Sequence, residues 1–202
     1  MIKVTVEENA LRDIEQKLGG LSNKAPSVLK KAVNETARST KTKLYKKTKQ
    51  VYAVANKKKF NQKSFEIKSA TVGSQAAFIS TKGEMLELID FKVSPKQVTR
   101  GSNNRPKVYK GKVLKENSME KLQVGKLKAF IVQFSNDHQS VVQRVPGKKM
   151  KRNPKRDFIK KLLSPSVPGM VGGEKVYGVI EPEIATDLKN NIDKHIKVLM
   201  GE

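Results

Sequence analysis

Glu84, Glu87 and Asp90 lie at three-residue intervals and form a candidate site for a divalent cation. On a strand Glu84 and Asp90 would share one face and Glu87 would take the other, so the ordinary alternative is three solvated strand positions. Loaded with a metal ion, they would be equipment for phosphodiester cleavage. His138 and His195 are far apart, and neither has a ligand neighbour at metal-site spacing. His195 falls beside an apolar helical stripe, a boundary position. His138 ends the run Ser135-Asn136-Asp137, where capping a turn is the usual role, and the adjacent Asp137 is poorly placed to orient it as a base. Gly172-Gly173-Glu174-Lys175 lacks the spacing of a phosphate-cradling loop. No cysteine is present, which excludes a thiolate zinc site, a cysteine nucleophile and a disulfide scaffold. The expectation is a non-enzymatic protein with no metal and no cofactor.

The second kind of chemistry is Coulombic. The 202 residues contain 42 Lys and Arg against 19 Asp and Glu, a formal charge of +23. Such a balance calls for a polyanion or an acidic partner surface. The surplus is local. From Lys24 to Lys68 there are 14 basic residues and 2 acidic ones, and from Arg144 to Lys161 there are 9 and 1. From Glu174 onward the balance reverses to 4 basic and 6 acidic. The candidate contacts to DNA or to an acidic partner are Lys43, Lys46, Lys47, Lys49, Lys57, Lys58 and Lys59, then Arg100 and Arg105. Arg144, Lys148, Lys149, Lys151, Arg152 and Arg156 complete the set. Lysines of this kind hold phosphate backbones without reading sequence, and arginines add bidentate contacts. Paired aromatic platforms and recognition-helix motifs are missing, so base readout is not expected.

The elements that must position these residues follow from periodicity. Ile2, Val4 and Val6 alternate as a short strand, and Leu11, Ile14 and Leu18 mark a helix stopped by Gly19-Gly20. A second helix starts near Pro26 and carries Leu29, Val33, Ala37, Thr40, Leu44 and Val51. If it reaches about Gln50 it is on the order of 37 Å long. Short β-prone runs follow around Phe65 to Ile67, Ala76 to Ile79 and Met85 to Phe91. Residues 94–120 read as a long basic loop with an edge strand near Lys107 to Leu114. Leu127 to Phe134 and Gln139 to Val145 read as a hairpin, with Phe130, Val132 and Phe134 near one face. Residues 146–170 read as a basic, turn-rich loop and a rigid Pro-rich link. A last helix is placed at 179–200, with Pro182 as its start signal and Ile184, Leu188, Ile192, Ile196 and Leu199 as its stripe. This is an α+β pattern, expected as a single domain over 1–202, with a helical part at 1–60 and a β-rich core at 61–145. The opening residues are polar and acidic, unlike a secretory signal, and no run approaches the roughly 18 apolar residues of a membrane span.

Residues 128–134 (Lys-Ala-Phe-Ile-Val-Gln-Phe), a turn bearing His138, Val141-Val142-Gln143-Arg144, a basic loop and then Ser164-Pro165-Ser166-Val167-Pro168 form an ordered series. It resembles the minor tail protein Z family of tailed bacteriophages and prophages, and Leu86 to Val93 resembles the strand before that family's variable basic loop. The resemblance implies structural roles for Phe130, His138, Arg144, Pro165 and Pro168. Asn136-Asp137 stands where a Ser-Gly pair is common, Lys151 to Arg156 departs from the usual Arg-Leu-Pro-Ile, and Ser164 replaces a glycine. What the resemblance implies is a virion component that completes the head-proximal end of a long tail for head–tail joining. Its implied partners are the tail terminator, tail tube and tape measure proteins, with packaged DNA as a further contact, in an oligomeric ring and without a membrane. It would reside in the virion tail, and in the host cytoplasm during assembly. The competing reading from the residues alone is a non-specific nucleic-acid-binding module.

Overall fold

A computed structural model describes residues 1–6, 8–98 and 106–201. The chain divides into two compact units, one from 1–48, 61–82 and 168–202, the other from 49–60 and 83–167. The fold class is α+β, as the sequence pattern implies, and every strand pairing among the described residues is antiparallel.

The first unit contains β1 (Ile2–Thr5), α1 (Glu8–Leu18), α2 (Ala25–Val51), β2 (Phe65–Lys68), β3 (Ala76–Thr81), α3 (Val167–Val171) and α4 (Val179–Met200). The last residues of α2 and the first of α3 are counted with the second unit. The strands form a sheet in the order β1-β3-β2, in register at Val4↔Ala77 and Ile67↔Ile79. Helix α2 has Pro26 in its first turn, where a missing N–H is tolerated. Of its stripe, Leu29, Val33, Ala37, Thr40 and Leu44 are fully buried and Val51 at the end is half-buried. Ile14 and Leu18 of α1 pack with Ala25, Val28, Leu29 and Ile196 in one cluster. A buried Asn34 completes the packing. Its amide donates to Ala70 O at 3.1 Å, and its Oδ1 accepts from Ala70 N at 2.7 Å, so a loop backbone is satisfied by one side chain.

Helix α4 spans Val179–Met200, the range placed for it, but starts three residues before its signal Pro182, and a π-helical turn over Glu174–Gly178 leads into it. Buried Val176 and Ile180 explain the difference: the apolar stripe continues upstream of Pro182, which therefore sits inside the helix. Pro168, expected in an extended link, lies in the first turn of α3.

The second unit holds β4 (Met85–Glu87), β5 (Lys92–Ser94), β6 (Lys110–Lys112), β7 (Glu120–Lys121), β8 (Gln123–Val124), β9 (Leu127–Gln133), β10 (Gln139–Met150), β11 (Asn153–Lys161) and β12 (Leu163–Ser166). They form sheets in the orders β11-β10-β9-β8, β5-β6-β7 and β12-β4. Leu88, Ile89, Val93, Tyr109, Ala129, Ile131 and Val141 build its core. The run after Met85 is a strand only as far as Glu87 and then a 3-10 turn over Leu88–Asp90. Asp90 is buried there, with Oδ1 accepting from Asn56 at 2.8 Å and Oδ2 from Glu87 N at 3.3 Å. The expected loop over 94–120 contains β6 and β7, and β6 is a central strand rather than an edge.

The β9–β10 hairpin forms where expected, with Val141↔Ile131 and Gln143↔Ala129 in register. Phe130, Val132 and Phe134 share a face, as the sequence reading has it, and are half-buried, while Ala129 and Ile131 on the other face are buried. Phe130 packs against the edge of the core cluster, and Arg144 covers its ring at 5.4 Å. The larger correction is at 146–161. The expected turn-rich loop is a β-ribbon, with β10 running on to Met150 and returning as β11. Pro146, Gly147 and Lys148 are absorbed as a bulge between the pairs Val145↔Phe158 and Lys149↔Asp157. A second irregularity before Met150↔Asn153 absorbs Pro154, Lys155 and Arg156. Bulges are the positions at which a ribbon tolerates Pro and Gly, and Gly147 uses a φ of +77° that side chains rarely adopt.

Candidate functional site

Carboxylates take up part of the cationic surface predicted on α2 and leave Lys46 exposed. On α2, Lys43 Nζ lies 2.7 Å from Glu183 and 2.8 Å from Asp187 of α4. Hydrogen bonds to Asp187, then to Glu183, raise its pKa above the ordinary lysine value. Lys41 donates to Phe65 O at 3.3 Å. Glu35 on the same helix binds Lys194 at 2.6 Å and His195 Nε2 at 2.8 Å. The Lys194 hydrogen bond, opposed by burial and aided by His195, holds the Glu35 carboxyl below its usual value. His195 is therefore an α2–α4 tie, the boundary role expected for it. Lys49, Lys57 and Lys58 also have interaction partners. Lys46 and Lys59 are exposed and Lys47 is half-buried.

The ribbon differs. Arg144 stacks over the Phe130 ring at 5.4 Å, Lys148 Nζ sits 4.6 Å from the Phe158 ring centroid, and Lys149 pairs with Asp157 at 2.8 Å. Lys149 holds the Asp157 carboxyl below its ordinary pKa. Beyond these, Lys151, Arg152, Lys155, Arg156 and Lys160 are exposed and make no side-chain hydrogen bond or ion pair among the described residues. Lys155 and Lys160 were not singled out from the sequence. Arg100 and Arg105 lie outside the described residues.

At the root of the ribbon Glu87 gathers two elements. His138 Nε2 lies 3.0 Å from both carboxylate oxygens and Lys161 Nζ 2.6 Å from Oε1. Burial pushes the Glu87 carboxyl up, but the Lys161 ammonium, then the Ser140 hydroxyl and then His138 outweigh it and hold it below its ordinary value. The Phe134 ring stacks on His138 at 6.1 Å and lies 5.5 Å from Lys161 Nζ. His138 does not cap the turn with its ring. Asn136 Oδ1 does that, accepting from His138 N at 3.2 Å, while Asp137 takes a φ of +60°. The ring instead ties the β9–β10 turn to β4. Glu87 was noticed in the sequence as a metal ligand, and its partners 51 and 74 residues away were not visible there.

The three carboxylates Glu84, Glu87 and Asp90 do not converge. Glu84 is exposed, Glu87 is tied to His138 and Lys161, and Asp90 holds a backbone turn. Among the described residues no group of three or more His, Asp or Glu is placed to hold a metal ion. Pro165 is exposed on β12 and Pro168 is exposed on α3. No described helix is long and apolar enough to cross a membrane. No family model matches the chain, and no match is found among curated proteins or solved structures.

Proposed function

We propose that the protein is a structural subunit of a long phage tail, acting in tail completion at the head-proximal end so that tails join heads. The reading starts from the ordered strand, turn, strand and proline series of residues 128–168. It is supported by one observation above all: that series is assembled as continuous architecture, β9 to β12, around a tie between His138 and Glu87. A subunit of this kind works through surfaces rather than a reaction centre. The ribbon and the sheet edges supply such surfaces, since unpaired edges and exposed arms are what repeated heterologous contacts use. The tail terminator, tail tube and tape measure proteins are the proposed neighbours, in a ring.

The test is genetic. An early stop codon in this reading frame, in the genome that carries it, should leave filled heads and finished tails separate in electron micrographs. A plasmid copy of the full chain should restore joined particles. Joined, infectious particles at full titre without the protein would overturn the proposal.

A further inference from the structure

We infer that the β10–β11 ribbon is a binding arm for duplex DNA, gripping the phosphate backbone without reading sequence. This inference stands on the ribbon itself and not on the tail reading.

Three observations carry it. First, the charge on the ribbon is uncompensated. Lys151 and Arg152 are exposed at the tip and Lys155, Arg156 and Lys160 along β11, and Asp157, the single acid between Arg144 and Lys161, is already taken by Lys149. A row of unpaired cations has condensed counterions to displace from a polyanion, which is the main driving force of non-specific binding. Second, the shape fits a duplex. Two strands about 5 Å apart make a blade that a B-form major groove, about 12 Å wide, admits. The deep, narrow major groove of A-form RNA does not admit side chains. The bulge at Pro146, Gly147 and Lys148 adds twist to the blade, so that it can follow a helical groove.

Third, the arm is poor in the features that other partners need. Single-stranded nucleic acid is held by bases stacked on open aromatic faces. The one aromatic ring on this stretch, Phe158, already has the Lys148 ammonium over it at 4.6 Å. A protein partner normally meets an apolar centre of buried anchors. Beyond Val145 the ribbon offers only Pro146, Met150 and Pro154, with no buried residue between 146 and 157. The arm is nevertheless well founded. Val141 and Val142 are fully buried at its base, and Glu87 holds Lys161 where β11 ends.

The experiment is fluorescence anisotropy of the full chain with a labelled mixed-sequence duplex of roughly 20 base pairs, two helical turns, titrated from about 50 to 200 mM salt. The parent should bind with a log–log salt slope near −4, as expected for about four or five phosphate contacts. The variant K151A/R152A/K155A/R156A should lose affinity on the order of 100-fold and flatten the slope by about 3. The variant K30A/K31A/R38A/K46A removes the same charge from α2 and should lose no more than about threefold. The swap K151R/R152K/K155R/R156K should bind like the parent and shows that the charges, not a folding defect, are being read. A ribbon variant that binds like the parent, or an α2 variant that loses as much, overturns the assignment. Single-stranded DNA or poly-glutamate of equal charge binding as tightly as the duplex overturns the choice of partner.

Discussion

Helix α2 presents Lys30, Lys31, Arg38 and Lys46 on the outside of a rod whose inner face buries Leu29, Val33, Ala37 and Leu44. The β10–β11 ribbon beyond Val145 carries a comparable set of cations and buries nothing. On the helix, acids from α4 take up Lys43, and Glu35 takes up Lys194 and His195. On the ribbon a single acid serves a whole arm. The difference teaches that a run of lysines in a sequence does not mark a binding surface. Lys30, Lys31, Arg38 and Lys46 are left over too, so what marks one is unspent charge on an element that the core does not need.

That contrast can be broken by mutation. The largest effect belongs to the helix interior: Leu44→Ala should destabilise the protein by about 3 kcal/mol, through lost burial and the cavity left behind, read by chemical denaturation. Asn34→Ala should come next, at about 2 kcal/mol, because the buried N–H and C=O of Ala70 lose their partner. Glu87→Gln should cost about 1 kcal/mol at neutral pH, since Lys161 and His138 are partly exposed and can be rehydrated.

The pH dependence of that third variant has a definite sign. The folded pKa of Glu87 is lowered from 4.5, so its stabilisation is complete above that value and disappears as pH falls through the lower folded one. Parent and E87Q should therefore converge in strongly acidic urea titrations, and a gap that widens on acidification would refute the tie. Lys43→Met should change stability by less than about 1 kcal/mol, because the two pairs it breaks are screened by solvent at a lysine side chain that is 33% exposed. Smallest of all, K151A/R152A/K155A/R156A should stay within about 0.5 kcal/mol of the parent in the same denaturation. A loss approaching that of Leu44→Ala would mean that the ribbon is a structural element like α2.

Much of α2 was legible because one helix satisfied two rules at once, a proline in the first turn and a stripe at 3.6-residue spacing. The ribbon was not, because Pro146, Gly147 and Pro154 are ordinarily turn markers. Their place in bulges is decided by pairing across the hairpin, with Val145 opposite Phe158, which no local window contains. Pro182 misled for a related reason: it marks a helix start only when nothing apolar precedes it, and Val176 and Ile180 do. The candidate site divides in the same way. Which residues are basic was plain from composition, but which cations remain unspent depends on Glu183, Asp187 and Asp157, whose positions only the fold supplies.

The most direct test of that distinction is amide hydrogen exchange on the full chain with and without saturating mixed-sequence duplex DNA. The account predicts new protection in residues 146–161 and unchanged exchange along 25–51. Protection of the helix with an unchanged ribbon would contradict it.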